Sequence, residues 1–179
     1  MIKLTPSQEK LIHYLEALVR HEEVGRLAGL RRGVNKPPGL APEAYSQVVP
    51  FLESDRLGWV EEVAYLVAVL FAMWHQGRGP RLVPMSGDLG RSFRDLASET
   101  GSESVEKRFV GLLKSRPAAL PHRLRHAVGL LKTNDVPVNW RKLILDLQNW
   151  SHPDRFIQRR WARSFWAASS AASPGETTE

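Results

Sequence analysis

Trp59-Val60-Glu61-Glu62-Val63-Ala64-Tyr65-Leu66-Val67-Ala68-Val69-Leu70-Phe71-Ala72-Met73-Trp74-His75 is the stretch on which the fold turns. Val60, Val63, Leu66, Val67, Leu70, Phe71 and Trp74 leave no polar face on a helix of 3.6 residues per turn. A helix that is apolar nearly all round belongs at the centre of a bundle. Its unbroken apolar run, Val63 to Trp74, is 12 residues long. That is short of the roughly 20 residues a membrane-spanning helix needs.

On its N-terminal side, Thr5-Pro6-Ser7-Gln8 reads as a capping box with proline at the first helical position. Leu11, Ile12, Leu15, Leu18 and Val19 follow at helical spacing. The pattern predicts a long helix, a kink near Glu22, and a short second helix ending in the pair Arg31-Arg32. Asn35-Lys36-Pro37-Pro38-Gly39 is a loop, and Pro42 opens a short helix that Pro50 limits.

On the C-terminal side, Gly77-Arg78-Gly79-Pro80 stops the central helix and begins a loop that runs to about residue 88. Leu89, Phe93 and Leu96 then mark one helix, and Val105, Phe109, Leu112 and Leu113 the next. Leu124, Val128 and Leu131 mark another, with Pro117 and Pro121 at its start. Trp140, Leu143, Ile144, Leu147 and Trp150 share a further helical face. A last helix, restarted by Ser151-His152-Pro153-Asp154, carries Phe156, Ile157, Trp161 and Phe165. Trp140, Trp150 and Trp161 therefore read as core, while Trp74 and Trp166 are less determined. No segment alternates with period two, so the chain reads as all-α, a compact bundle of about seven to nine helices. One helical domain is expected over 1–166, with the loop 77–87 as the place where two small lobes would divide. Residues 167–179 read as a disordered tail.

With 179 residues the chain can bury about 70% of its unfolded surface, which supports a real core. Cysteine is absent, which excludes disulfides, thiolate metal sites and a thiol nucleophile. The N-terminal sequence carries no secretory pattern, and a cytoplasmic protein is expected. The net charge of +6 is unevenly placed. Residues 1–62 carry −1, whereas residues 107–163 hold 13 Lys and Arg against Asp135, Asp146 and Asp154, a net +10. Arg outnumbers Lys 18 to 7, and its planar fork of donors matches phosphate. Solvated helix faces are the plain alternative, but such a block repels itself unless a polyanion neutralises it. Lys107 and Lys114, and again Arg125 and Lys132, stand seven residues apart, so each pair shares a face away from its helix's apolar side.

Catalytic constellations are not apparent. His122 and His126 share a face, yet Arg123 and Arg125 beside them oppose a bound dication. Gly25, Gly29 and Gly33 follow no strand and make no phosphate loop. The carboxylates that two-metal chemistry requires are scarce where the basic residues lie. No cofactor, metal or small-molecule substrate is expected.

Specific phrases run in series along the chain: Gly25-Arg26-Leu27-Ala28-Gly29-Leu30-Arg31-Arg32, Val69-Leu70-Phe71-Ala72 and Leu89-Gly90-Arg91-Ser92. They continue with Val105-Glu106-Lys107-Arg108-Phe109, Leu112-Leu113-Lys114, Leu124-Arg125, Leu130-Leu131-Lys132, Val138-Asn139-Trp140 and Asp146-Leu147-Gln148-Asn149-Trp150. In order and spacing, over about residues 5 to 166, the chain resembles the CasB family, the small subunit of the type I-E CRISPR surveillance complex called Cascade. The resemblance implies a non-enzymatic helical subunit, present in two copies packed head to tail, that meets other Cascade subunits, the CRISPR RNA and the target DNA. It carries basic positions over to Arg31, Arg32, Arg91, Lys107, Arg108, Lys114, Arg125 and Lys132. His126 stands where the family phrase often has a second arginine. Such a subunit would hold the strands of an R-loop without reading sequence, which suits a basic bundle lacking catalytic groups. The rival reading is an adaptor whose basic face docks an acidic protein.

Overall fold

The computed structural model describes residues 3–53, 58–80, 82 and 86–167. Its nine α-helices among those residues are α1 (Pro6–Arg20), α2 (Val24–Arg31), α3 (Pro42–Val48), α4 (Trp59–Trp74), α5 (Leu89–Thr100), α6 (Glu103–Leu113), α7 (Leu120–Thr133), α8 (Trp140–Gln148) and α9 (Phe156–Trp166). Short 3-10 turns at Val49–Phe51 and Pro117–Ala119 complete the helical structure, and the fold is all-α. None of the described helices is long and apolar enough to cross a membrane.

Helix α4 is the axle. Every residue from Val63 to Ala72 is buried, and α1, α2, α3, α7 and α8 pack around it. A second layer is made by α5, α6 and α9, with α7 touching α4, α5 and α6. α8, far beyond the 77–87 loop in sequence, returns to pack on α1 and α4. One cluster of buried apolar side chains runs from Leu11 to Phe165.

The capping box forms as read: Thr5 accepts from the Gln8 amide, and Gln8 Oε1 accepts from the Thr5 amide at 3.0 Å. The expected kink near Glu22 is instead a full break. Glu22 takes φ 52°, and α2 starts afresh at Val24, because a left-handed residue cannot continue a right-handed helix. The last helix likewise starts later than its Ser-His-Pro-Asp signal suggests, after a left-handed Arg155 at φ 49°. Residues 168–179, where a disordered tail was expected, lie outside the described residues.

Trp140, Trp150 and Trp161 are core, as their spacing indicates, and Trp74 joins them at 2% exposed. Burying an indole requires a partner for its N–H. Trp59 donates to the Leu147 carbonyl at 2.9 Å, Trp74 to Val136 at 3.0 Å and Trp150 to Ser115 at 2.9 Å. Each of these bonds ties distant segments together. Trp166 remains half exposed at the end of α9.

Much of the C-terminal positive charge serves this framework. Asp146 is buried and accepts from Trp161 Nε1 at 2.6 Å and from Arg160, with Lys142 Nζ 3.4 Å away. Arg160 Nε also lies 3.4 Å from buried Asp88, an ion pair without hydrogen-bond alignment. Arg141 pairs with Glu16, and Arg155 donates to the Leu113 carbonyl at the end of α6. These four cations are committed to holding helices in place.

Candidate nucleic-acid interface

Helices α6 and α7 lie side by side because Val105, Phe109 and Leu112 on one, and Leu120, Leu124, Ala127, Val128 and Leu131 on the other, are buried in the same core. At about 100° per residue, what remains outside on α7 is a continuous crest. Arg123 falls on the α6 side, His122 and His126 on top, and Arg125 and Lys132 on the α4 side.

At the seam, Arg108, Arg123, His122 and His126 surround a hollow of about 290 Å³ floored by Phe93, Leu112, Ala127 and Leu130. Among the described residues no carboxylate lines it. The Arg123 guanidinium lies over Gly111 of α6, where a Cβ would stand 3.2 Å from its Nη1. Arg125 Nη2 lies 3.1 Å from His122 Nδ1 and 3.3 Å from His126 Nε2, with the imidazoles edge to face at 4.5 Å. A guanidinium only donates, so the two ring nitrogens that face Arg125 act as acceptors in this arrangement. His126 is pushed below the ordinary histidine range, first by desolvation and then by His122, Arg125, Arg108 and Arg123. The arrangement is short of negative charge.

A second basic group gathers where α4 ends. Arg31 Nη1 reaches the Ala72 carbonyl at 3.5 Å, and Arg78 Nε donates to the Trp74 carbonyl at 2.9 Å while its guanidinium lies 4.0 Å over the Trp74 ring. Cations suit these last carbonyls, the negative end of the helix dipole. Lys132 Nζ donates to Gln76 at 3.2 Å, and its pKa is lowered by burial and then by Arg78 and Arg31. Arg78 further bonds the Lys132 carbonyl and Asp135.

The eight positions singled out from sequence therefore separate. Arg108 and Arg125 meet around the histidine pair. Lys107 and Lys114 stand exposed two turns apart on the outer flank of α6. Arg31 and Lys132 belong to the α4 terminus. Arg32 pairs with Glu43 at 3.6 Å, facing α3, and Arg91 pairs with Asp95 at 3.1 Å along α5. Heptad spacing passes over Arg123 and Arg78. Nothing local marks either, since each is placed by contact with another helix.

Comparison with known proteins gives a consistent set of likenesses. The family model for CRISPR-associated protein Cse2 matches residues 26–166. The CRISPR-associated protein Cse2 of Thermus thermophilus is 36% identical over 148 residues, 80% of each chain. The crystal structure of CasB from Thermus thermophilus superposes with a TM-score of 0.76 at 32% identity, covering 92% of this chain and all of that one. A chain of a solved CRISPR RNA-guided surveillance complex shares the fold at 24% identity and a TM-score of 0.69, covering 89% of each.

Proposed function

The chain belongs to the CRISPR-associated Cse2 family, called CasB in its solved members, and from that premise we propose that it is a non-catalytic, strand-holding subunit of a CRISPR RNA-guided surveillance complex. In this reading it works in the cytoplasm beside other subunits and a second copy of itself, with guide RNA and target DNA as ligands. One observation carries the proposal: the exposed crest of α7 bears a hollow walled by Arg108 and Arg123 beside two histidines, with no carboxylate among its described lining residues to neutralise the arginines. A phosphodiester supplies the missing charge and accepts from guanidinium forks through its two free oxygens. The sequence carries no helix-turn-helix or zinc-finger pattern, so contact is taken to fall on the backbone with sequence unread.

The test is salt-dependent binding. If about four phosphates meet Arg108, Arg123, Arg125 and Lys114, single-strand affinity falls about 50-fold between 50 and 200 mM salt, from a slope near −0.7 per contact. Changing all four to Glu is expected to abolish binding of random-sequence DNA and leave the helical circular-dichroism spectrum intact. Arg31 is left in place because its side chain reaches the end of α4. Tight binding by the folded variant, or a wild-type affinity indifferent to salt, would sink the proposal and favour an acidic protein as the partner of the crest.

A further inference from the structure

Beside the crest, between the turn at residues 33–38 and the junction of α4 with α7, lies a cleft of about 460 Å³. Val69 and Leu70 line it from α4, the rings of Pro37 and Pro38 from the turn, and Ala118 and Pro121 from the start of α7. Lys36, His122 and Arg125 also border it, and Glu62 is the one carboxylate among the described lining residues. His122 thus borders both this cleft and the arginine-walled hollow.

The turn is seated firmly enough to hold a shape. The Tyr65 hydroxyl donates to the Gly33 carbonyl at 3.4 Å. A Cβ on Gly33 would fall 2.4 Å from that hydroxyl and 2.8 Å from side chains of both Ala44 and Val69. The turn therefore rests directly on α3 and α4, and only glycine fits there. The result is a preformed slot with aliphatic and prolyl walls, cations at its border, and Glu62 and Asn35 among its polar groups.

We propose that this cleft seats one unstacked nucleobase of a single strand whose phosphates run along the crest of α7. The inference rests on the nucleic-acid reading above and deepens it. A base presents two apolar faces to such walls and N–H groups to Glu62, while its phosphates stay with Arg125 and the neighbouring hollow. A pocket of this size, mainly apolar with a few polar groups, is the usual form of a small-ligand site. Sequence tolerance is kept, because every base has a π-face to bury.

The experiment compares the full-length chain binding labelled oligothymidylate and an abasic strand of equal length, by fluorescence anisotropy at fixed salt. Wild type is expected to prefer the base-bearing strand by several-fold to roughly tenfold, at or below the low end of the scale of one base stacked on an aromatic ring, since these walls are aliphatic and prolyl. Ala118→Trp, at an exposed rim position, fills the cleft; it is expected to remove that preference and leave abasic affinity unchanged. Arg108→Glu with Arg123→Glu should weaken both strands alike. As a second readout, 2-aminopurine placed in the strand should change its emission on binding wild type but not Ala118→Trp. Oligouridylate run in parallel tells which sugar backbone delivers the base, and base-dependence with either supports the cleft. Equal affinity of wild type for base-bearing and abasic strands overturns the cleft while leaving the crest standing. Absence of salt-dependent binding by any strand overturns both.

Discussion

Replacing Gly90 by alanine sets two effects of opposite sign against one another. Gly90 is the second residue of α5, and an added Cβ would stand 2.1 Å from the Trp161 carbonyl oxygen, 2.8 Å from its carbon and 2.9 Å from Trp161 Cα. All three are backbone atoms of α9, so no flexible side chain can swing away. Carbon atoms sit comfortably at about 3.5–4.0 Å, so the helices must part by about 1 Å. Parting them loosens Phe93 and Trp161, both fully buried, and the stack of Phe109 on Phe165 at 4.4 Å. Overpacking of this kind costs about 1–3 kcal/mol or more, against at most about 1 kcal/mol of helix propensity gained by alanine. A net loss of about 2 kcal/mol lowers the melting temperature of a chain this size by about 4–8 °C. Gly129 supplies the control, since it lies within α7 and nothing stands within 4 Å of its added Cβ. There alanine should gain about 0.5–1 kcal/mol and raise the melting temperature by a few degrees. Thermal and urea unfolding followed by far-ultraviolet circular dichroism read both variants. The reasoning is refuted if Gly90→Ala melts at or above the wild type, or if both variants shift in the same direction.

His75 makes stability depend on pH. Its Nδ1–H donates to the Phe71 carbonyl at 2.9 Å among Phe71, Trp74 and Trp140, and burial pushes its pKa down to about 4, with Arg78 adding to the shift and the carbonyl opposing it. The unfolded chain takes up that proton near pH 6.5, so this contribution is full above that value and drains away as pH falls toward 4. Between pH 7 and pH 5 the loss is about 2 kcal/mol, and His75→Leu should flatten the urea midpoint over the same range. An unchanged pH dependence in His75→Leu would contradict this account. Asp146→Asn removes the anion that Trp161, Arg160 and Lys142 share. Because Arg160 is partly solvated, the expected cost is about 2–3 kcal/mol, and a melting temperature within a degree of wild type would count against the junction.

Much of the helical inventory was readable along the chain. The all-round apolarity of Trp59–Trp74 placed one helix at the centre, and Thr5-Pro6-Ser7-Gln8 fixed the start of another. These signals are local: periodicity and capping depend on residues within a turn of one another. Where a helix break depended on a single left-handed residue, as at Glu22 and Arg155, the pattern alone offered a kink or an earlier restart. Membership of the Cse2 family was also legible, in the serial order of short phrases.

The division of the positive charge was not legible. The excess of +10 between residues 107 and 163 is a sum, and a sum cannot tell a cation held by Asp146 from one facing solvent. Arg160, Arg141 and Arg155 bond to partners many positions away, while Arg123 lies over Gly111 of the neighbouring helix and borders the hollow on the crest. Sequence by itself determined the helices, the family and the sign of the surface. Tertiary structure alone decided which arginines hold the bundle and which are left facing outward, because a charge's partner is set by helix packing that brings distant residues within a few ångströms.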